Sequence, residues 1–245
     1  MGNIIETLAF VKKPPTYDTN ISYLIFVKRQ KISFSFVTTH SIPVRYYHVN
    51  NNYPTLLICH GNNEDIGESD VKALSREFTA NICIFDYAGY GLHTCKFSSE
   101  AECEEDVIAV YNYLIYTRKI IPEKIVIYGR SLGTGLACYL AHHVRNNIKQ
   151  PYKLILVSPL TSAVGTQYNI WLPGDIFMNY RLAPHIKCST LILHGDQDDV
   201  VPYSCGVELS QKFPNLYKFC TLHNRSHNDL FTHNYYEEIN TFLRL

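Results

Sequence analysis

IVIYGRSLGTGLA, residues 125–137, decides how the chain is read. Ile125, Val126, Ile127 and Tyr128 form a short apolar run, the signature of a strand buried on both faces. Gly129-Arg130-Ser131-Leu132-Gly133 follows at once, and small, helix-compatible residues come after it. The pattern is a sharp strand-to-helix turn with one serine between two glycines. A side chain at such a turn is lifted above the carboxyl end of a sheet. The glycines avoid clashes around strained backbone. This is G-x-S-x-G, the nucleophile elbow. A helix beginning just after Ser131 also favours negative charge that develops there.

With this run, short apolar runs recur along the chain: Thr55–Cys59, Asn81–Phe85, Lys124–Tyr128, Lys153–Val157, Thr190–Leu193 and Tyr217–Leu222. They alternate with segments of helical period, which indicates a parallel sheet covered on both faces. Before residue 55, KISFSFVTTHSIPVRYYHV alternates around a turn signal and reads as antiparallel strands at the leading edge. Ser99 followed by Glu102 is a capping box that starts a helix. Behind it Val107, Ile108, Tyr111, Leu114 and Ile115 recur at helical spacing. The fold class is therefore α/β, a mostly parallel, doubly wound sheet in one domain spanning residues 1–245. Residues 160–189 break the alternation and read as a small inserted lid or cap.

Composition sets limits on function. The 245 residues carry 22 basic and 22 acidic side chains, and this balance offers no electrostatic case for nucleic acid. The eight cysteines have no C-x-x-C spacing, and two lie inside apolar runs, so reduced thiols and no metal site are expected. The sequons Asn20-Ile21-Ser22 and Asn224-Arg225-Ser226 carry no meaning in a cytosolic protein. No basic n-region precedes an apolar h-region, and no apolar run is long enough to span a bilayer. Neither a secretory leader nor a transmembrane helix is expected.

A serine hydroxyl needs a base to take its proton, and the base needs an acid to orient it. On a sheet of this kind the order is Ser, acid, His. TLILHGDQDDVVP places Asp196, Asp198 and Asp199 just past a strand. Asp198 falls in an H-G-x-x-D arrangement and is assigned the acid, with Asp199 second. CTLHNRSHND places His227 in a polar turn after the last strand. His223, nearer the strand, is the alternative base. The spacing of His223 and His227 also suits a metal, but no third ligand suggests itself. Acyl transfer further needs N–H donors aimed at the developing oxyanion. Leu132 N–H follows the nucleophile. Asn62 N–H, in the loop after the run LLIC, is the second donor, with Asn63 as alternate. Asp86, in FDYAGYG, is read as holding that second loop.

With these pieces in place, the chain resembles the alpha/beta-hydrolase domain-containing protein 17 family and its near relatives. The matching stretches run nearly end to end: LAFVKKPPTYD, HGNNEDIG, FDYAGYG, VIYGRSLGTG, LVSPLTS, LILHGDQDDVV and SHND. The resemblance implies an alpha/beta-hydrolase fold and a serine hydrolase that removes palmitate from membrane-associated proteins, with Ser131, Asp198 and His227 as its triad. This chain departs from the family in two respects. It lacks the N-terminal cluster of palmitoylated cysteines, and it has Arg225-Ser226 where relatives tend to carry glycine before the histidine.

The reading is a serine acyl hydrolase cleaving a thioester or ester of a long acyl chain, without a cofactor. Its substrate is an acylated protein or a lipid-like ester. A lipase or carboxylesterase is the alternative within enzymes, and an inactive binding scaffold the alternative outside them. Trp171, Leu172, Phe177 and Met178 are read either as lining an acyl channel or as cap packing. The expected location is cytoplasmic, with weak peripheral membrane contact. Gly2 in MGNIIET fits N-myristoylation incompletely, because Glu6 stands where Ser or Thr is wanted and Thr7 comes one place late. Nothing in the sequence sets the oligomeric state.

Overall fold

The computed structural model describes residues 4–33, 36–145, 151, 153–168 and 173–245. Eight strands form one sheet in the order β1-β2-β4-β3-β5-β6-β7-β8. They are β1 (Leu24–Ser33), β2 (Phe36–Tyr47), β3 (Thr55–Cys59), β4 (Asn81–Phe85), β5 (Ile125–Arg130), β6 (Lys153–Val157), β7 (Ser189–Gly195) and β8 (Leu216–Leu222). The β1–β2 and β2–β4 pairs are antiparallel and the rest are parallel. The helices are α1 (Ile4–Ala9), α2 (Val71–Phe78), α3 (Glu100–Asn112), α4 (Gly133–His143), α5 (Gly165–Tyr168), α6 (Asn179–Leu182), α7 (Tyr203–Ser210) and α8 (His233–Arg244).

Every residue of β3, β4, β5 and β6 is buried, as apolar runs without alternation require. Successive residues feed two cores. Leu57, Cys59, Ile125, Ile127, Leu154 and Leu156 face one side, with Val107 and Val110 of α3, Leu136 and Leu140 of α4 and Leu209 of α7. Leu56, Ile58, Val126, Tyr128, Ile155 and Val157 face the other, with Val71 and Phe78 of α2 and Ile239 and Phe242 of α8.

Ser99 caps α3 by accepting from Glu102 N at 3.2 Å. The Glu102 carboxylate, expected to complete the capping box, instead pairs with Arg29 and Lys31 of β1. A buried guanidinium draws a carboxylate more strongly than a backbone N–H does.

β3 is central, with β4 on one side and β5 on the other, so the strand order reverses there. Clefts form beyond the carboxyl ends of strands at such a reversal. The loop after β3 and the turn after β5 both open into it.

The segment between β6 and β7 packs closely on the body of the protein. Asp175 gathers Ser162 Oγ at 2.6 Å, Val164 N and Ile176 N at 2.9 and 2.8 Å, and Gly165 N at 3.3 Å. Asn179 Nδ2 donates to Leu160 O at 2.9 Å and to Thr134 Oγ1 at 3.3 Å, tying α6 to the start of α4.

Candidate active site

Ser131 sits at the junction of β5 and α4 with φ of 51°, a left-handed conformation that costs a residue with a Cβ roughly 1–2 kcal/mol. Its surroundings hold it there. Ser131 N donates to Val157 O at 3.0 Å, and Ser131 O accepts from Thr134 N at 2.9 Å and Thr134 Oγ1 at 2.6 Å. The flanking glycines answer a spatial demand. A Cβ on Gly129 would press on Ala137 and the Gly133 carbonyl, and one on Gly133 would collide with the carbonyls of Cys59 and His60. The elbow therefore rests directly against the end of β3, two residues from Asn62.

The three candidate acids separate cleanly. Asp196 accepts from His223 Nδ1 at 2.9 Å and from Asn224 N at 2.7 Å on the surface. Asp199 is exposed. The Asp198 side chain is fully buried, and His227 Nδ1 lies 2.8 Å from its Oδ2 and 3.0 Å from its Oδ1. Burial raises the Asp198 carboxyl. Hydrogen bonds from His194, His227 and Val201 N outweigh that and hold it far below the usual carboxylate range. A carboxylate facing Nδ1 puts the ring proton there and leaves Nε2 free to act as a base. His223 is 77% exposed and is not the histidine brought to Asp198.

One side chain connects this pair to the elbow. Arg130, immediately before Ser131, donates through Nη2 to His227 O at 3.1 Å and to Asn228 Oδ1 at 2.8 Å, while its Nη1 pairs with Glu64. The His227 loop is thereby strapped to the end of β5, next to Ser131. A cavity of about 330 Å³ on the α2 and α8 side reaches Arg130 and Asn228 from behind. Among the described residues no hydrogen bond joins Ser131 Oγ to His227. Such bonds commonly tighten only around substrate.

Asn62 is fixed by its side chain. Its Oδ1 accepts from Val11 N at 3.0 Å and Tyr90 Oη at 2.6 Å, and its Nδ2 donates to Ala9 O at 2.7 Å. Among the described residues neither Asn62 N–H nor Leu132 N–H has a hydrogen-bond partner. Asp86 holds its loop by accepting from Ile66 N at 2.9 Å and from Tyr17. His60 is buried, stacked on Tyr87 at 4.2 Å with Nδ1 at 2.8 Å from Gly61 O, and is part of the scaffold.

Of the four lid residues, Trp171 and Leu172 lie outside the described residues. Met178 is half-buried. Phe177 is 2% exposed, and its ring presses on Gly135 and meets Phe10 edge-on at 5.7 Å. Its place is in the core, where an aromatic ring gains most from contact.

Sequence reasoning missed Arg130, Glu64, Asn228 and His194 as members of this site. His194 offered one signal, a histidine closing an apolar strand four residues before the chosen acid. For metal binding, His40, Cys95 and Glu102 hold donor atoms within 4.8 Å of one another among the described residues. Glu102 is already paired with Arg29 and Lys31, whose charges oppose a cation. All eight cysteines are free thiols, and burial pushes those of Cys59 and Cys83 well up.

No family model matches the chain. It is 32% identical over 203 residues to alpha/beta hydrolase domain-containing protein aho-3 of Caenorhabditis elegans, covering 79% of this chain and 58% of that protein. It is 31% identical over 189 residues to human alpha/beta hydrolase domain-containing protein 17B, covering 75% of this chain and 64% of that one. The chain belongs to the alpha/beta-hydrolase family. Relatives named domain-containing protein 17B and 17C are among those it matches, as its motifs imply, and it spans about three fifths of the length of these relatives. In fold, this alpha/beta-hydrolase chain is similar to the solved esterase RhEst1 of Rhodococcus. The TM-score is 0.65 at 18% identity, covering 89% of this chain and 98% of that one. No helix among the described residues is long and apolar enough to cross a membrane.

Proposed function

We propose that the chain is a serine acyl hydrolase with Ser131 as nucleophile, His227 as base and Asp198 as the acid that orients it. The observation that carries this reading is the buried Asp198–His227 pair, strapped by Arg130 to a serine in left-handed backbone.

Ser131 Oγ attacks the acyl carbonyl carbon as His227 Nε2 takes its proton. The carbonyl oxygen becomes an oxyanion facing Asn62 N–H and Leu132 N–H. His227 returns the proton to the leaving sulfur or oxygen, that bond breaks, and the acyl group stays on Ser131. Water then gives a proton to His227 and attacks the acyl carbon. The fatty acid leaves and Oγ regains its proton. Every step uses side chains and water alone.

The substrate class we propose is a long-chain acyl thioester on a protein, the chemistry implied by resemblance to the domain-containing protein 17 group. A carboxylesterase on lipid or small esters is the second reading, favoured by the likeness of the fold to solved esterases. The location that goes with the first reading is cytoplasmic with weak membrane contact. Gly2, the candidate acceptor for a myristoyl group, lies outside the described residues.

A fluorophosphonate probe should label the protein, and Ser131→Ala should abolish labelling and lower kcat by on the order of 10⁶. Labelling that survives in Ser131→Ala refutes the assignment. A panel of acyl thioesters and oxygen esters of varied length then separates the two substrate readings.

A further inference from the structure

We infer that His194 is a positioning residue for Asp198, so that the acid is held between two imidazoles, His194 and His227. This rests on the acyl-transfer reading above.

His194 closes the apolar run of β7 and has no solvent exposure. An imidazole in such a place is costly unless its polar atoms are bonded. Its Nε2 lies 2.9 Å from Val201 O and 3.3 Å from Asp198 Oδ2. Both are acceptors, so Nε2 carries the proton and donates to them. The other nitrogen, Nδ1, is buried without a hydrogen-bond partner. It faces α7 at Gly206, where a Cβ would collide with it. The Tyr203 ring meets the imidazole edge-on at 5.8 Å and limits its rotation. The bare Nδ1 and the missing Cβ share one explanation: the ring is held so that its Nε2–H points to the acid.

The two oxygens of Asp198 are therefore fixed differently. Oδ1 accepts from Val200 N at 3.0 Å and Val201 N at 2.8 Å. Oδ2 is shared by the two rings, with His227 at 2.8 Å and His194 at 3.3 Å. The backbone donors set the position of the carboxylate, and His194 sets its rotation toward His227. The other ionisable groups nearby are engaged elsewhere. Asp196 is bonded by His223, Arg130 by Glu64, and the Tyr203 hydroxyl by Thr221 Oγ1, while Asp199 is exposed. Among the described residues His194 and His227 are the two ionisable side chains bonded to Asp198. Both imidazoles reach its Oδ2.

The test uses the full chain and p-nitrophenyl butyrate, with kcat and KM measured from pH 5 to 9. His194→Phe should lower kcat by on the order of 100-fold with KM nearly unchanged, as misplacement of a catalytic group does. The acid limb of the profile should move to higher pH, because an Asp198 freed of one donor makes His227 more basic. His194→Gln, whose amide N–H reaches from the same strand position, should recover most of the rate. Gly206→Ala, which pushes the ring from its bare side, should lower kcat with the same shift of the acid limb. If His194→Phe does not fold, the Gln and Ala variants decide alone. Wild-type kcat and an unmoved acid limb in the Phe or the Ala variant overturn the inference. Asp198→Asn is run beside them. If it keeps full activity, the acyl-transfer reading fails. If it is inactive while His194→Phe is normal, only the role of His194 fails.

Discussion

Phe177→Ala distinguishes core packing from a substrate channel in the segment between β6 and β7. The Phe177 ring is 2% exposed, lies on Gly135 of α4, and meets Phe10 at 5.7 Å with planes inclined by 74°. Truncating a buried phenylalanine costs about 3–5 kcal/mol. Alanine gives no backbone relief in return, since φ at this position is 53° and a Cβ remains. In a chain of this size each kcal/mol lowers Tm by about 2–4 °C, so the variant should melt roughly 6–20 °C below wild type. Differential scanning calorimetry reads the shift. Hydrolysis of esters from two to sixteen carbons, measured well below the new Tm, reads selectivity. A Tm within about 2 °C of wild type, together with a changed preference for chain length, would refute the packing account. Phe177 would then line the path of the acyl chain.

Other outcomes follow from the same geometry. Asp198→Asn should cut kcat by on the order of 10⁴, whereas Asp199→Asn should leave it near wild type, because only Asp198 fixes the His227 tautomer. The reverse ranking in steady-state kinetics, with circular dichroism unchanged, moves the acid to Asp199. Arg130→Met keeps the bulk of the side chain but unstraps the His227 loop, and kcat should fall by roughly 100-fold. Equal rates would show that the strap is dispensable. Glu104 is pushed up to about 8 by burial and by the like charges of Glu100 and Glu105. A carboxyl raised on folding holds more protons in the native state, so its stability contribution is lost as pH rises from about 4.5 to 8. Allowing for its partial exposure, Glu104→Gln should stabilise by about 1–2 kcal/mol at pH 9 and by little at pH 4. A melting-temperature gain equal at both pH values would contradict this.

The buried strands were legible because continuous apolar runs report burial on both faces directly. β3, β4 and β6 begin and end where those runs do. β5 and β7 extend past them, through Gly129-Arg130 and His194-Gly195. There the ladder continues while the side chains turn to other work, and hydropathy cannot register a backbone bond. Ser131, Asp198 and His227 stood out because each occupies a turn with its own local pattern. Arg130 did not, since its partners Glu64 and His227 lie 66 and 97 residues away; His194 did not either, although Asp198 is only four residues on, because an apolar run that ends in a histidine does not say what its ring bonds. Asn62 was chosen for its backbone N–H, but its amide also bonds Ala9 and Val11, 53 and 51 residues earlier. The half-formed capping box at Ser99 is the same lesson, because Arg29 lies 73 residues from Glu102 and takes its carboxylate.

The Arg130 strap joins residues 97 apart in the chain. A ribosome adding 5–20 residues per second needs about 5 to 20 seconds to cross that gap. On the proposed reading, the nascent protein carries its serine for that interval with neither acid nor base beside it. Reactivity therefore arrives late in synthesis, in one step, when the final strand docks and Arg130 finds the His227 carbonyl. Until then, on that reading, the growing chain cannot acylate itself on the abundant thioesters of the cell.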